Sequence, residues 1–326
     1  MSQLEPELPC TTVDRHTHLE GSLEPTWVRE QARKRGLVIP QALELLWQHN
    51  AVPFTSFITA FSFGCELLRD SNAVLEAVRA AVRRLPTAMP GGAPRGIDMW
   101  VSPHFLVRQG RFIKLDDLWR GIDEGILEAQ RDGVHIAVII DAVNHLGIDQ
   151  GHEVLDLILE DKPSWVVGFS TGGLEEIPFK EWAPVFERAR RAGLLLAAHA
   201  GENGPAINVH QAVVDAGVER IVHGVRAAAH PDILRLLAER SIPVDICITS
   251  NFALVSNLGE HPLPKLLRAG VRCALGTDDP GVIPCNLEEE WLHAKNLGLK
   301  PEELKRVNDH SNTDAWCFRK LNTLTH

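Results

Sequence analysis

Short apolar runs alternate with longer amphipathic segments along most of the chain. The runs are rich in Val, Ile, Leu and Ala and are bounded by Gly, Pro or polar residues, a pattern typical of buried strands. A first strand is predicted in the stretch 13–21, near the N-terminus. Seven more are predicted at residues 97–105, 134–141, 165–170, 194–199, 220–223, 243–249 and 271–277.

The segments between these strands have apolar residues at helical spacing, and each strand with its helix spans about 25 to 40 residues, as in βα units. Eight such units in succession predict an α/β fold, a closed (β/α)8 TIM barrel whose working face lies at the C-terminal ends of the strands. Helical pattern recurs from Pro25 to Leu85 and a turn-rich segment follows to Pro94, which indicates a helical insertion over about residues 23–95 after the first strand. Further helical pattern lies at 287–296, 301–309 and 312–321. We expect one domain over residues 1–326.

Four phenylalanines recur within the predicted insertion, at Phe54, Phe57, Phe61 and Phe63. Aromatic residues at helical spacing are more often core than pocket lining, because burying their large apolar surface stabilises a fold. We expect most of the four in the core and one or two facing the site.

The composition is that of a soluble globular protein. Of the 326 residues, 44% are hydrophobic and 23% are charged, and the formal net charge is -10. An acidic chain repels phosphate backbones, and no Lys/Arg-rich tract is present, so nucleic acid is not an expected partner. No apolar run reaches membrane-spanning length, so no membrane partner is expected either. The sequence does not predict an oligomeric state.

Cysteine use and the N-terminal residues bear on the cellular compartment. The six cysteines are scattered without a C-x-x-C pair, and several lie in apolar runs, where a buried thiol is the expected state. The first ten residues include Glu5 and Glu7 and have no apolar segment of the kind found in signal peptides. We expect a reducing compartment and a cytoplasmic location.

The first predicted strand carries the most informative motif, His16-Thr17-His18. Side chains alternate between the two faces of a strand, so His16 and His18 point the same way and can bind one metal ion. An isolated pair of this kind is often just two polar residues at a strand end. Its meaning therefore depends on what the other strands supply.

Further ionisable residues stand at the ends of other predicted strands. His199 ends the fifth strand, His223 ends the sixth, and Asp278 and Asp279 follow the eighth. A barrel brings these strand ends together at one face, and a charge at a core strand end costs free energy unless something pairs with it. A metal ion is the obvious partner.

The donor types indicate which metal is expected. The set suited to one Zn2+ per chain, with room for a water, comprises His16, His18, His199 and Asp278. Zinc lowers the pKa of such a water to about 7, so a neighbouring proton acceptor makes it a nucleophile. His223 and Asp278 are the candidates for that acceptor.

A carboxylate just beyond the fifth strand completes the predicted chemistry. Glu202 lies three residues after His199. From there it can reach a bound substrate without binding the metal, which is the position of a proton shuttle.

Six segments, in order along the chain, resemble the adenosine deaminase family of metal-dependent amidohydrolase barrels. They are His-Thr-His-Leu-Glu-Gly-Ser from residue 16, Ser-Pro-His-Phe-Leu, His-Ala-Gly-Glu, Val-His-Gly-Val-Arg, Thr-Ser-Asn, and Gly-Thr-Asp-Asp-Pro ending at residue 280. The resemblance implies a zinc-dependent hydrolytic deaminase that acts on a small-molecule 6-aminopurine or its nucleoside and releases ammonia.

The same resemblance implies a role for each matching residue. The metal ligands would be His16, His18, His199 and Asp278. The catalytic groups would be Glu202, which protonates ring nitrogen N1, His223, which orients the attacking hydroxide, and Asp278. Substrate contacts would come from His18, Glu20, Gly173 and Asp279, with the Gly173 N–H at N3 and Asp279 at N7.

The identity of the aminopurine is left open by the sequence. Glu20 stands where adenosine-cleaving members often carry Asp, a position that the family uses near the ribose 5′ end, and the longer carboxylate shifts that contact. The surrounding segment is similar to members acting on adenine or on 5′-modified nucleosides such as aminodeoxyfutalosine. Free adenine is therefore an alternative substrate. Two further alternatives are a zinc amidohydrolase that acts on a non-purine cyclic amidine by the same metal chemistry, and a catalytically silent nucleoside-binding relative. The complete ligand set disfavours the silent relative.

Several further polar residues lie near predicted strand ends. Ser250 and Asn251 are expected to cap a helix or turn rather than to contact substrate. Arg226 is expected to be a solvated or salt-bridged loop residue. His104 and Asn144, after the second and third strands, are candidates to line the pocket.

Overall fold

The computed structural model describes residues 11–87, 92–107 and 112–319. Within these ranges eight parallel strands follow one another in chain order around a single sheet. They are β1 (Val13–His18), β2 (Arg95–Val101), β3 (Val134–Val143), β4 (Val166–Gly172), β5 (Leu195–Ala200), β6 (Arg220–His223), β7 (Pro243–Ile246) and β8 (Arg272–Leu275). Each of them overlaps a strand predicted from the apolar runs.

The ring of strands closes between β1 and the residues that follow β8. The His18 N–H donates to the Asp278 carbonyl at 2.7 Å, and the Asp278 N–H donates to the His16 carbonyl at 2.8 Å. Thr17 and Asp278 form a parallel bridge between the same two segments. Closure satisfies backbone groups that an open sheet would leave at its edges. The predicted (β/α)8 TIM barrel is confirmed.

Fourteen α-helices lie in the described part of the chain. They are α1 (Pro25–Arg35), α2 (Gln41–Leu46), α3 (Phe54–Leu67), α4 (Ser71–Arg83), α5 (Pro103–Leu106), α6 (Leu115–Arg131), α7 (Ile148–Glu160), α8 (Phe179–Arg191), α9 (Ile207–Val214), α10 (Pro231–Glu239), α11 (Ile248–Leu254), α12 (Leu263–Arg268), α13 (Leu287–Asn296) and α14 (Pro301–Thr313). Helices α1 to α4 stand between β1 and β2, where the sequence predicts a helical insertion.

The C-terminal helices differ from the expectation in one respect. Segments 301–309 and 312–321 are expected as separate helices, but α14 runs without a break from Pro301 to Thr313. Residues 309–312 contain neither Gly nor Pro, so nothing interrupts the backbone hydrogen bonds of the helix. The chain then continues in bends and turns to residue 319, and residues 320–326 lie outside the described ranges.

The second and seventh strands end well before the apolar runs suggest. The run 97–105 stops being a strand at Val101, because Pro103 is suited to the first position of a helix and begins α5. The run 243–249 leaves the sheet at Ile246. There the Glu290 carboxylate of α13 accepts the backbone N–H groups of Ile248 at 2.6 Å and Thr249 at 3.0 Å, which starts α11 instead.

Two arginines and two aspartates pair inside the barrel, all four fully buried. Arg220 Nη1 lies 2.8 Å from Asp98 Oδ2, and Arg15 Nη2 lies 3.1 Å from Asp245 Oδ1. Asp98 also accepts the backbone N–H of Trp316 at 2.9 Å, and the Arg220 guanidinium lies 3.9 Å from the centre of that indole ring. The segment after α14 is thereby tied to the barrel interior.

The cysteines within the described ranges follow the predicted pattern. Cys65, Cys247, Cys273 and Cys285 are buried and Cys317 is half-buried, while Cys10 lies outside the described residues. None of the helices described here is both long enough and apolar enough to cross a bilayer.

Removing one charge from the buried cluster tests its contribution to stability. Asp98→Ala leaves Arg15 and Arg220 short of a carboxylate in a dry environment, so we expect the free energy of unfolding to fall by about 3–5 kcal/mol. Urea titration followed by circular dichroism measures this change. The control is Arg79→Ala, which breaks an exposed pair with Glu128 and should change the same quantity far less. Equal losses in the two variants would contradict the account.

Candidate active site

The four predicted metal ligands meet at one end of the barrel. His16 and His18 lie on β1, His199 on β5, and Asp278 after β8. His16 Nε2 is 3.2 Å from His199 Nε2 and 3.1 Å from Asp278 Oδ1, and His18 Nε2 is 3.3 Å and 3.6 Å from the same two atoms. Ligand atoms of a tetrahedral zinc site with bonds of about 2.0–2.2 Å are about 3.3–3.6 Å apart. The cluster therefore fits one ion of this size.

The protonation states of these side chains suit metal binding. Burial lowers the pKa of His16 and of His18 well below the usual histidine value and lowers the pKa of His199 to about 4, so all three are neutral imidazoles at pH 7. Burial alone would raise the pKa of Asp278, but the facing histidines, His223 and His18 foremost, hold it below its ordinary value. A neutral imidazole and an ionised carboxylate are the forms that bind zinc.

Two neighbouring groups orient the ligands. His199 Nδ1 lies 2.9 Å from the Thr171 carbonyl, which can only accept, so this nitrogen carries the proton and Nε2 is free to bind the ion. The Ser250 hydroxyl donates to Asp278 Oδ2 at 2.5 Å. The expectation that Ser250 caps a helix is wrong, because Ser250 lies inside α11 and its side chain points to the cluster.

The backbone is strained where two site residues leave their strands. His223 and Asp278 both have φ at +64°, a left-handed conformation that non-glycine residues seldom adopt. Such outliers concentrate at functional sites, where the surrounding structure holds them in place. Here the sharp turns at the ends of β6 and β8 keep both side chains at the barrel mouth beside His199.

A single buried carboxylate organises the loop that carries Glu202. Glu175 accepts hydrogen bonds of 2.8–3.2 Å from the backbone N–H groups of Gly201, Glu202, Asn203 and Gly204. The loop is also held from a second side, because Arg226 Nε donates to the Glu202 carbonyl at 2.9 Å. Arg226 is thus a structural loop residue. The sequence alone gave no role to Glu175. The one local hint is that this acidic residue stands two positions after Gly172-Gly173, close to the end of the fourth strand.

The carboxyls of the site differ sharply in their affinity for protons. Burial, followed by the charges of Asp278 and Glu175, raises the pKa of Glu202 well above its ordinary value. Burial and the Asp278 charge likewise raise the pKa of Asp279 well above its ordinary value. Glu202 and Asp279 therefore hold a proton more readily than Asp278 does, so one small volume contains carboxyls of very different proton affinity.

A pocket opens beside this cluster and is walled largely by apolar side chains. Its apolar wall comprises Phe54, Phe57, Ile58 and Phe61 of α3 with Phe105, Val143 and Leu254. Three of the four insertion phenylalanines thus face the pocket, more than expected, while Phe57, Phe61 and Phe63 also belong to the buried core, as expected. The polar lining comprises His18, Ser102, Asp141, Gly173, His199, Glu202, His223, Asp278 and Asp279.

The remaining predicted substrate contacts are arranged as follows. Gly173 lines the pocket with φ at +83°, and a side chain there would meet His145 Nδ1 at 2.9 Å. Glu20 is buried, its Oε1 accepts the Ser102 N–H at 2.7 Å, and its Oε2 has no partner among the described residues. Burial raises the pKa of Glu20 to about 7. Glu20 is not among the described residues that line the pocket, so its role toward a substrate stays a prediction.

Two residues proposed as pocket lining have other surroundings. Asn144 binds the backbone of Ile177 twice, accepting its N–H at 2.9 Å and donating to its carbonyl at 3.1 Å. His104 packs its ring against Phe105, and in the described part of the chain it is Phe105 that borders the pocket.

Asp141 is a site residue that sequence reasoning missed. It lies near the end of β3 and lines the pocket, with Oδ1 3.8 Å from His199 Nδ1 and without a hydrogen-bond partner in the described residues. Burial raises its pKa well above the ordinary value. Gly172 leaves the space for it, because a side chain at that position would come within 2.4 Å of Asp141 Oδ2. The sequence does contain a hint of this role, because Asp141 is the carboxylate that ends the apolar run 134–141.

Relatives of this chain act on more than one aminopurine compound. The present chain is 31% identical to an adenine deaminase from Rhodopseudomonas palustris, over 92% of this chain and 87% of the relative. It is 30% identical to an adenosine deaminase from Serratia proteamaculans (94% and 93% covered) and to an aminodeoxyfutalosine deaminase from Acidothermus cellulolyticus (94% and 87% covered). Sequence identity therefore does not separate the three substrates.

Solved structures share the fold over nearly the whole chain. An adenine deaminase from Arthrobacter aurescens superposes with a TM-score of 0.82 at 25% identity, covering 93% of each chain. An amidohydrolase from Burkholderia ambifaria with bound Zn has a TM-score of 0.79 at 20% identity, covering 93% of this chain and 84% of that one.

The family-level sequence match covers the whole barrel. The model of the family described as adenosine deaminase matches residues 11–323, a range that includes every strand and all of the site residues described above. On this match and the relatives above, the chain belongs to the adenosine deaminase family.

Proposed function

We propose that this chain is a zinc-dependent hydrolytic deaminase of a 6-aminopurine nucleoside, either adenosine or a 5′-modified adenosine such as aminodeoxyfutalosine. The products are the 6-oxopurine and ammonia. One observation carries the proposal: the Glu202 carboxyl borders the same pocket as the cluster of three histidines and Asp278, with His223 Nε2 between them, 3.6 Å from Glu202 Oε1 and 3.9 Å from Asp278 Oδ2. A proton donor and a metal site can then act on one substrate carbon.

The donor set supports one zinc ion per chain, held by His16, His18, His199 and Asp278. When bound, zinc lowers the pKa of an attacking water and so supplies a nucleophile near neutral pH. Cys247 lies close to His16 and Asp278, but burial raises the pKa of its thiol well above the usual range, which disfavours the thiolate that a metal requires. The three imidazoles and the carboxylate are the better set.

Glu202 serves as the acid in this proposal. Attack at C6 of an aminopurine leaves negative charge on the ring unless N1 gains a proton. Because burial raises the pKa of the Glu202 carboxyl well above its ordinary value, this group holds a proton more readily than an exposed carboxyl and can donate it, while Asp278, whose pKa is lowered, serves as the ligand.

Other residues that line the pocket are proposed to bind the rest of the purine ring. A protonated Asp279 donates to N7, which is an acceptor, and the Gly173 N–H does the same at N3. The rings of Phe57 and Phe61 supply apolar surface for a flat heterocycle. Glu20, with an unpartnered oxygen, is proposed to contact the substrate beyond N9.

Free adenine is the second candidate substrate. The adenine deaminase from Rhodopseudomonas palustris is as similar in sequence to this chain as the nucleoside deaminases are, and an adenine deaminase from Arthrobacter aurescens shares its fold. The apolar side chains of α3 wall the same pocket that is lined by Gly173, Glu202 and Asp279, the groups proposed to bind the purine ring. These two observations favour testing adenine beside the nucleosides.

A side-by-side deamination assay tests the proposed function. Zinc-loaded protein is given adenosine, 2′-deoxyadenosine, adenine, 5′-methylthioadenosine, AMP, N6-methyl-AMP and aminodeoxyfutalosine, and the change in purine absorbance is followed. We expect one nucleoside to be converted much faster than the others, with about one zinc per chain by elemental analysis. Turnover of adenine alone would favour the second candidate. No turnover of any compound by zinc-loaded protein would overturn the proposal.

Replacing Glu202 by Gln tests its role as the acid. The amide keeps the size of the side chain but cannot donate a carboxyl proton, so we expect kcat to fall by about 10^2- to 10^4-fold while zinc content and the unfolding midpoint stay unchanged. The exposed Glu181→Gln is the control and should keep full activity. Wild-type rates in Glu202→Gln would exclude this role.

Replacing Glu175 by Gln tests whether the loop must be held in place. One carboxylate oxygen becomes an NH2 group that faces N–H donors, so the backbone of residues 201–204 loses acceptors. We expect kcat to fall about ten- to a hundred-fold without loss of zinc, as for other groups that orient a site. Its neighbour Glu176 is exposed, so Glu176→Gln is the matched control. A fall of equal size in both variants would refute a specific role for Glu175.

A further inference from the structure

A chain of buried hydrogen bonds leads from the start of α12 to His223. The Leu263 backbone N–H donates to His261 Nδ1 at 3.2 Å. His261 Nε2 lies 3.2 Å from Asn251 Oδ1, and Asn251 Nδ2 lies 3.1 Å from His223 Nδ1. His261, Asn251 and His223 are all buried, so water does not compete for these contacts.

The direction of this chain follows from its first link. A backbone N–H can only donate, so His261 Nδ1 accepts and has no proton. Burial lowers the pKa of His261 to about 4, so at neutral pH the ring carries one proton, which must be on Nε2. That proton is donated to Asn251 Oδ1, which orients the Asn251 amide so that its NH2 group points to His223.

We propose that His261 and Asn251 are positioning residues that hold His223 with its ring proton on Nε2, so that His223 acts on the attacking water as a hydrogen-bond donor and not as a proton acceptor. The Asn251 NH2 group donates a hydrogen bond to His223 Nδ1. This nitrogen is therefore the acceptor and carries no proton. Nε2, the other ring nitrogen, faces Glu202 and Asp278.

The inference deepens the proposed function and rests on it for the identity of the water. Two roles are open to His223 on residue type alone, proton acceptor and orienting donor. A ring nitrogen that already carries a proton and faces the pocket cannot take another. It can hold the oxygen in position while the tetrahedral centre forms.

The location of the proton can be measured without any turnover. Zinc-loaded protein labelled with 15N-histidine is studied by long-range 1H–15N correlation NMR, which distinguishes protonated from unprotonated ring nitrogens. The His223 signals are assigned by their loss in His223→Asn. We expect His223 and His261 each to be protonated on Nε2 and not on Nδ1. A proton on Nδ1 of His223 in the wild type would overturn the inference, whether or not the protein deaminates any compound.

Variants of the two positioning residues test the chain itself. In Asn251→Asp both side-chain oxygens accept, so the His223 proton should move to Nδ1 and kcat should fall about ten- to a hundred-fold. His261→Leu cuts the chain and should lower kcat by a similar factor with KM changed less than about two-fold, since His261 is not among the described pocket-lining residues. His261→Gln can donate to Asn251 and accept from Leu263, and should keep kcat within about three-fold of the wild type.

Comparison of these variants separates positioning from simple packing. His310→Leu removes a half-buried histidine that binds the Cys273 carbonyl away from the pocket, and it should leave kcat and the His223 signals unchanged. If His261→Leu does not fold, the nearly isosteric Asn251→Asp carries the test. A loss in His261→Gln as large as in His261→Leu, or an unmoved His223 proton in Asn251→Asp, would overturn the proposal.

Discussion

The barrel closes through the same residues whose side chains form the metal-ligand cluster. The backbone groups of His16 and His18 bind those of Asp278, and Thr17 bridges to it as well. The separation of these ligands is therefore determined by sheet closure and not by a flexible loop. Because His199 stands on β5 of the same sheet, the barrel framework also determines the distance of this side chain from the other three. The pocket chemistry depends on this constraint.

Burial makes the closed end of the barrel chemically selective. In a dry site the proton affinity of each group depends strongly on its neighbours. Asp278, whose pKa lies below its ordinary value, stands beside two carboxyls, Glu202 and Asp279, whose proton affinity rises with burial and with the charge of Asp278. One small volume thus contains a candidate metal ligand and two carboxyls of raised proton affinity. The apolar side chains of α3 border this volume and limit its contact with water.

Interactions from distant parts of the chain support these groups. Glu290 of α13 binds the backbone N–H groups that start α11, and α11 carries Ser250 against Asp278 and Asn251 against His223. Glu175 holds the Glu202 loop in a comparable way. Each support is a buried carboxylate, amide or hydroxyl whose partners lie tens of residues away along the chain. Their loss would act on the chemistry through the geometry of the site.

Sequence alone predicted the order of strands and the candidate metal ligands, because a strand-end His or Asp is visible in a local apolar pattern. It did not identify Asp141, Glu175 or the inward orientation of Ser250, since these depend on contacts across the barrel. It also placed too few phenylalanines in the pocket, because helical spacing does not say which neighbour covers a helix face. Only the tertiary structure decided distances, burial and hydrogen-bond direction, and these properties arise from segments that are adjacent in space and far apart along the chain.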